Sequence, residues 1–559
     1  MTKPRLGAVR AAGIGAVVAA LITLPGLWVG TLWDNSETAY GEVAREILLT
    51  HDWVIMHLNG VPYFVQPPLY FWLGATFSLI MGPTAFALRL PAALATIALA
   101  GFTGYAVARQ LGTRVGVYAA VILSTSLMPA VIGRLAIMDA LLDLAVAMSI
   151  FWWFRGLETG RDRYIVYGWI AAAGGFLAKG LVAPVIALLV IVPFYLWNRR
   201  CEPMHPPSLR GWVTGATVFL AIVAPWPLAL VAHYHLFPLE KLIGEYTIGR
   251  YTGVVENQSG PIWYYLPVII LGFFPWIAFL PMAIVDGARS LHDTTLDPRL
   301  PRVLRLTFVW IVVPLLFFSL ARTKLPNYVA LEFPALAVLT ALYFDGVVRK
   351  GGSRAAVISA ATVPVTIGAL AFAIWLFTRN NRLNAEAASV VPALFAMGLA
   401  VFAGSLLTAV LLTRPKSARV APYALALAAM IAADVLATLV APHAEVFKPV
   451  PRLAALIERQ REPGDEVAIQ NVSGGNALLF YTHPVVRVLA VAGASDPQND
   501  GVDPRAFICS ARRAWVIVPA ARPTYDPTYG RRRRIVAVDQ KAALLLYDGP
   551  TCGSRLAPR

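Results

Sequence analysis

Five carboxylates crowd into the stretch 34–52: Asp34, Glu37, Glu42, Glu46 and Asp52. Asp34 and Glu37 stand three apart, just after the first long apolar run. A carboxylate placed this way can take the proton of an attacking hydroxyl. The complementary need, a place for an anionic leaving group, falls to isolated cations further along: Arg134, Lys179, Arg250, Arg322 and Lys324. Asp34 is the expected catalytic carboxylate and Glu37 its close rival. Their ordinary structural alternative is a helix N-terminal cap with interfacial acids beside it.

The elements that must hold these residues are membrane helices. The chain has 559 residues, of which 58% are hydrophobic and only 14% charged, a composition foreign to soluble domains. Apolar runs long enough to cross about 30 Å of hydrocarbon are read at about 11–30, 86–108, 115–132, 137–154, 164–178, 180–198, 211–231, 263–285, 306–320, 328–346, 355–377, 389–411 and 421–443. The first, with Lys3, Arg5 and Arg10 before it, reads as a retained helix, with a signal peptide as the alternative. Pro67–Met81 is apolar but short and opened by two prolines, so it reads as a dipping segment.

Loop charge supports that reading. With Pro67–Met81 not crossing and the N-terminus cytoplasmic, Arg109 and Arg114, Arg155 to Arg163, Arg199 to Arg210, Arg289 to Arg305, Arg349 to Arg354 and Arg414 to Arg419 all lie in cytoplasmic loops. This is the positive-inside pattern, and it accounts for much of the +16 formal charge without invoking nucleic acid. About thirteen crossings follow, with outer loops at 31–85 and 233–262 and the C-terminal part outside. Val43, Ile47 and Leu48 opposite Glu42, Arg45 and Glu46 predict an amphipathic surface helix in the first outer loop.

The division expected is a membrane domain over 1–445 and a soluble α/β domain over 446–559. In the latter, Glu466–Val472, Val485–Val491, Ala514–Pro519, Arg534–Asp539 and Ala542–Tyr547 read as strands, and Asn476–Tyr481 as a short helix. Cys509 and Cys552 form a disulfide or remain two free thiols. Arg531–Arg534 reads as a solvated or lipid-facing patch. No nucleotide-binding glycine motif opens a strand–helix unit. His51, His57, His233 and His235 lack tight ligand spacing, so no metal is assigned, and a divalent cation stays open.

Each cation has its own alternative. Arg134 and Asp139, in GRLAIMD, could form a buried structural pair. Lys179 could snorkel to the interface. Glu245 and Arg250 share GEYTIGRYTG in the second outer loop, and Lys324, in RTKLPNY beside Tyr328, is the leading phosphate-binding candidate.

The motifs YGEVAREILLTHDW, LNGVPYFVQPPLYFWL, FALRLPAAL, GRLAIMD, AKG, GRYTG…WYYLPVIILGFFPW and TKLPNYVALEFPALAVL, in this order, resemble the bacterial GT-C glycosyltransferases of the ArnT / protein O-mannosyltransferase superfamily. The lipid A 4-amino-4-deoxy-L-arabinose transferases are among its members. The resemblance implies a polytopic α-helical GT-C fold in the inner membrane, working as a monomer. It implies inverting transfer from a polyprenyl-phosphate sugar, usually undecaprenyl phosphate, to a lipid or glycan acceptor such as lipid A at the periplasmic face. Arg134, Asp139, Lys179, Glu245, Arg250, Lys324 and Tyr328 fall in stretches that resemble those lining the family's cavity; Asp139, Glu245 and Tyr328, with Gln66 and Tyr264, are the expected cavity and sugar-binding residues, and the five cations the expected phosphate ligands. The chain departs from the family pattern in three places: Ser36 stands where an Asp precedes the Glu, Ala39 where an Arg precedes the Tyr, and Val65–Gln66 where a charged pair precedes the prolines. Two functions of other classes compete: a lipid-linked sugar flippase, and a silent glycolipid-binding assembly protein.

Overall fold

A computed structural model describes residues 3–33, 36–254, 258–293, 297–380, 385–472, 474–482, 486–489, 502–521, 531–539, 541–549 and 552. They divide into two compact units: residues 1–29, 64–74 and 89–440 form the first, and 30–63, 75–88 and 441–559 the second.

The first unit is helical. Among the described residues, eight helices are long and apolar enough to cross a membrane, or up to ten if two bent pairs each count once. The protein is thus a multi-pass α-helical membrane protein, but the expected thirteen crossings are too many. The reason is local interruption of apolar runs. The 115–132 run breaks at Ser126, whose backbone is extended, which leaves Thr113–Thr125 with 13 residues. At 1.5 Å per residue that is about 20 Å, short of a hydrocarbon core. Val182–Asn198 has 17 residues, and Asp162–Lys179 carries Asp162, Arg163 and Lys179 at its ends. The 211–231 run bends by 46° where Pro225 opens a new helix, and the 263–285 run bends by 107° ahead of Trp276. Leu69–Met81 is an apolar helix of 13 residues. Trp153, Trp276, Phe273, Phe279, Phe333 and Phe344 fill the interior between helices.

The second unit contains a five-stranded mixed sheet in the order Val486–Val488, Glu466–Ile469, Ala514–Pro519, Ala542–Asp548, Arg532–Val538. Glu466–Ile469 runs parallel to both its neighbours, whereas Ala542–Asp548 is antiparallel to both of its own. Alternate residues serve two cores. Val467, Ile469, Trp515, Ile517, Leu544 and Leu546 pack beneath Pro449–Gln460 and Gly475–Thr482. Ala468, Val516, Val518 and Leu545 pack against Phe507 and Ile508 on the other face.

Cys509 and Cys552 form a disulfide. Arg531 departs from the patch expected of it: it is buried, and its guanidinium donates to the carbonyls of Ile508, Ala511, Arg512 and Gly549. It closes the end of the Pro504–Ser510 helix onto the sheet.

The helix expected at the surface, Glu37–Thr50, also belongs to this unit and is buried from Glu37 to Ile47 apart from Tyr40. It packs on Gly475–Thr482, where a Cβ on Gly41 would stand 3.1 Å from Phe480. Its charges are therefore paired inside. Glu42 bonds the Arg45 guanidinium, and Glu46 accepts from Gly60 N at 3.1 Å. Burial pushes the Glu42 carboxyl up to about 7, with Arg45 pulling the other way.

Candidate active site

Four charged or aromatic side chains of the first unit converge from four elements. Asp139 opens the helix Asp139–Thr159, where the helix N-terminus favours its charge. Lys179 is the last residue of Asp162–Lys179, which stops there because Gly180 turns the backbone to φ +72°. The Lys179 ammonium donates to Asp139 Oδ1 at 2.5 Å and lies 5.4 Å from the Tyr328 ring centre. Asn327 Nδ2 donates to the same carboxylate oxygen at 2.6 Å. Arg250 reaches the Tyr328 hydroxyl at 3.4 Å and stacks 5.4 Å from the Tyr246 ring.

Asn327 and Tyr328 sit on the 3-10 turn Pro326–Glu332, started by a proline after the extended Leu325. Ahead of that turn, the 322–324 backbone pairs with the 250–258 segment. Arg322, Thr323 and Lys324 donate their N–H groups to the carbonyls of Tyr251, Arg250 and Gln258, at 3.0, 3.1 and 2.9 Å. Arg250 is thus carried to Tyr328 by backbone pairing, and the cluster has a rigid frame. Chemically it offers one paired ammonium, one guanidinium and a phenol, which together suit an anionic group.

The remaining candidates lie elsewhere. Arg134 bonds Asp434 at 2.9 Å, so its partner is on another helix rather than at Asp139. Glu245 forms an exposed pair with Lys241 at 2.5 Å, one helical turn away. The Lys324 ammonium caps the end of Arg299–Leu320, donating to the carbonyls of Phe318, Ser319 and Ala321 at 3.3, 2.7 and 2.6 Å. Burial lowers its pKa below the usual lysine range. Arg322 is exposed and, with Lys324, Ser259 and Gly260, lines a cleft of about 330 Å³. Tyr264 borders this corner, its ring 5.1 Å from that of Tyr265. Only glycine fits at 260, since a Cβ there would come within 2.7 Å of Tyr264 Cδ2 and 3.2 Å of Lys324 Cδ. Gln66 is half-buried in the segment before the two prolines.

Glu37 belongs to the second unit, where its carboxylate is wholly buried and accepts from Trp33 N at 2.8 Å. Asp34 lies outside the described residues. No group of three or more His, Cys, Asp or Glu gathers at metal-binding range among the described residues.

Two polar residues of the cluster's surroundings escaped the sequence reading. Asn327 lay unremarked inside TKLPNY. Asp143 is buried within electrostatic reach of Asp139 and Lys179, and its spacing of four from Asp139 was the available signal.

Residues 65–228 match the family described as dolichyl-phosphate-mannose-protein mannosyltransferase. The chain is 29% identical over 404 residues to the undecaprenyl phosphate-alpha-4-amino-4-deoxy-L-arabinose arabinosyl transferase of Edwardsiella ictaluri, covering 69% of each protein. It is 30% identical over 355 residues to the second such transferase of Proteus mirabilis, covering 61% of each. Its fold is similar to that of the crystal structure of ArnT from Cupriavidus metallidurans bound to undecaprenyl phosphate, with TM-score 0.75, 21% identity and 98% of both chains covered. The chain is thus similar in sequence to these arabinosyl transferases and similar in fold to the Cupriavidus ArnT over nearly its whole length.

Proposed function

We propose that this protein moves a sugar from a polyprenyl-phosphate donor, of the undecaprenyl type that its relatives' names specify, to a lipid or glycan acceptor at the periplasmic face of the inner membrane. The observation that carries the reading is the cluster of Lys179, Arg250 and Tyr328, braced by Asp139 and Asn327, on a GT-C fold. In the reaction the acceptor hydroxyl attacks the anomeric carbon from the face opposite the leaving group. The carbon–oxygen bond to phosphate breaks with its electron pair, which inverts the centre, and the hydroxyl proton passes to a carboxylate.

Lys179 and Arg250 are the cations assigned to the leaving phosphate, with Arg322 beside the cleft as a further contact. Lys324, whose ammonium is engaged by carbonyls, and Arg134, whose Nη2 bonds Asp434, hold backbone and helix in place. Asp34 is assigned the proton-accepting role. Glu37, buried and bonded to Trp33 N, is assigned to hold the loop. Lipid A is the acceptor named by the resemblance. The N-terminus is assigned to the cytoplasm and residues 446–559 to the periplasm, which takes an odd number of crossings and so one of the shorter apolar helices, such as Val182–Asn198, beside the eight or ten long ones.

The test is transfer by purified protein from undecaprenyl phosphate carrying 4-amino-4-deoxy-L-arabinose or other single sugars to a bacterial glycolipid extract. Product formation that Asp34→Asn abolishes supports the assignment. Full activity in that variant sinks it. Cysteine labelling at position 60 tests the topology: reaction only from the cytoplasmic side would reject it.

A further inference from the structure

We propose that the C-terminal domain positions the acidic loop, with Glu445, Lys448 and Tyr481 as positioning residues for the reaction's carboxylate; this rests on the roles given above to Asp34, as proton acceptor, and to Glu37, as a holder of the loop. The observation is the way residues 31–33 are held. They lie outside any helix or strand, so no helical turn or ladder supplies acceptors for their backbone amides. All three amides find one. Thr31 N donates to Glu445 Oε1 at 3.0 Å, Leu32 N to the Tyr481 hydroxyl at 2.8 Å, and Trp33 N to Glu37 Oε2 at 2.8 Å. Two of the three acceptors therefore come from residues more than four hundred positions away in the chain.

Further bonds lock the same point. The Thr31 hydroxyl donates to Glu445 Oε2 at 2.5 Å. Lys448 donates to Thr31 O at 3.0 Å and to Glu445 Oε1 at 2.9 Å, and its ammonium sits 3.8 Å from the Trp33 ring centre. Charge-assisted bonds and a cation over an indole make a firm, directional hold on a segment of three residues. The next residues in the sequence are Asp34, Asn35 and Ser36, and then comes Glu37 itself.

The far end of the same element is fixed to the same domain. Asn59 pairs with the edge strand Val486–Val488 through both of its amide atoms, donating to Val486 O at 2.9 Å and accepting from Val486 N at 3.1 Å. Both approaches to the helix Glu37–Thr50 are thus carried by the C-terminal domain, and the helix packs on Gly475–Thr482 between them. Groups that only stabilise a domain have no need to engage three consecutive loop residues beside its carboxylates. Groups that set where a carboxylate stands do, because misplacement by about 1 Å costs on the order of a hundredfold in rate.

The experiment uses the full-length protein in lipid nanodiscs, with Glu445→Gln, Lys448→Met and Tyr481→Phe made singly. All three keep the approximate size of the side chain, and Tyr481→Phe removes one oxygen only. Two readouts are taken on the folded fraction recovered by size exclusion: transfer from the undecaprenyl-phosphate sugar donor, and hydrogen exchange of peptides covering 30–37 and 514–519. The expected result is a tenfold or greater fall in kcat with donor KM unchanged, and at least tenfold faster exchange over 30–37 with 514–519 unaltered. Lys448→Arg, which keeps a cation over Trp33, restores most of kcat. A kcat within twofold of the parent in all three, despite faster exchange over 30–37, overturns the proposal. Asp34→Asn and Glu37→Gln run alongside. If these lose transfer while the three variants keep it, only the positioning role fails. If both retain full transfer, the underlying reading fails with it.

Discussion

Lys179 and Lys324 are two lysines at helix ends of the same unit, both largely withdrawn from solvent, and they are satisfied in opposite ways. Lys324 has three ammonium donors and gives them to three backbone carbonyls at the end of Arg299–Leu320. Lys179 meets a carboxylate and an aromatic ring. Carbonyls cannot titrate or move away, so an ammonium held by three of them serves the backbone. A carboxylate shared with Asn327 can trade its cation against an incoming anion while keeping one hydrogen bond. The difference teaches that a lone basic residue in an apolar chain is informative only once its donors are counted.

The largest expected effect breaks or upholds this comparison directly. Lys179→Ala should lower kcat/KM for transfer by about 10²–10³-fold, the loss typical of removing one pre-set charge stabiliser. Steady-state assays with the polyprenyl-phosphate donor measure it, and a loss below tenfold would place Lys179 with the structural cations.

A second test carries the comparison to Glu42, a buried carboxylate which, like Asp139, has a cation partner. Its folded pKa, raised to about 7, means that the folded state keeps a proton that the unfolded chain releases from about pH 4.5 upward. Stability should therefore fall as pH rises from about 4.5 to about 7 and level off above, by up to about 3 kcal/mol. Thermal unfolding followed across that range reads it, and Glu42→Gln should flatten the profile. A midpoint that climbs with pH would refute the assignment.

Lys324→Met comes next, with an expected stability loss of about 1–3 kcal/mol for stranding buried carbonyls and transfer per folded molecule changed less than threefold. Unchanged melting together with lost transfer would erase the distinction between the two lysines. The smallest effect is that of Tyr328→Phe. The Arg250 contact at 3.4 Å is long, so its loss should cost about 1 kcal/mol, a fall of about fivefold in kcat/KM.

Much of the fold was legible in the chain, for reasons that particular stretches make plain. Glu466–Val472, Ala514–Pro519 and Ala542–Tyr547 were read as strands from short apolar runs between turn signals, and all three run through the sheet. The thirteen spans were over-counted because averaged hydropathy runs straight across Ser126, whose extended backbone leaves a helix of 13 residues, and passes Val182–Asn198, which has only 17 residues. In the site, Asp139, Lys179, Arg250 and Tyr328 stood out individually, yet nothing in their spacing said that Lys179 takes Asp139 while Arg134 takes Asp434. The helix Glu37–Thr50 looked like a surface element because the helix it packs on, Gly475–Thr482, is encoded at the other end of the chain.

Sequence alone was enough to give a multi-pass membrane protein with a small α/β C-terminal domain, and it supplied the acids and cations in their motifs. These properties follow from transfer of each residue between water and hydrocarbon, a preference that acts locally and needs no partner. Tertiary structure alone decided which cation faces an acid, which is consumed by carbonyls, and which domain holds the carboxylate loop. Hydrogen-bond satisfaction is a pairwise matter between groups brought together from distant positions, and a linear pattern does not carry it.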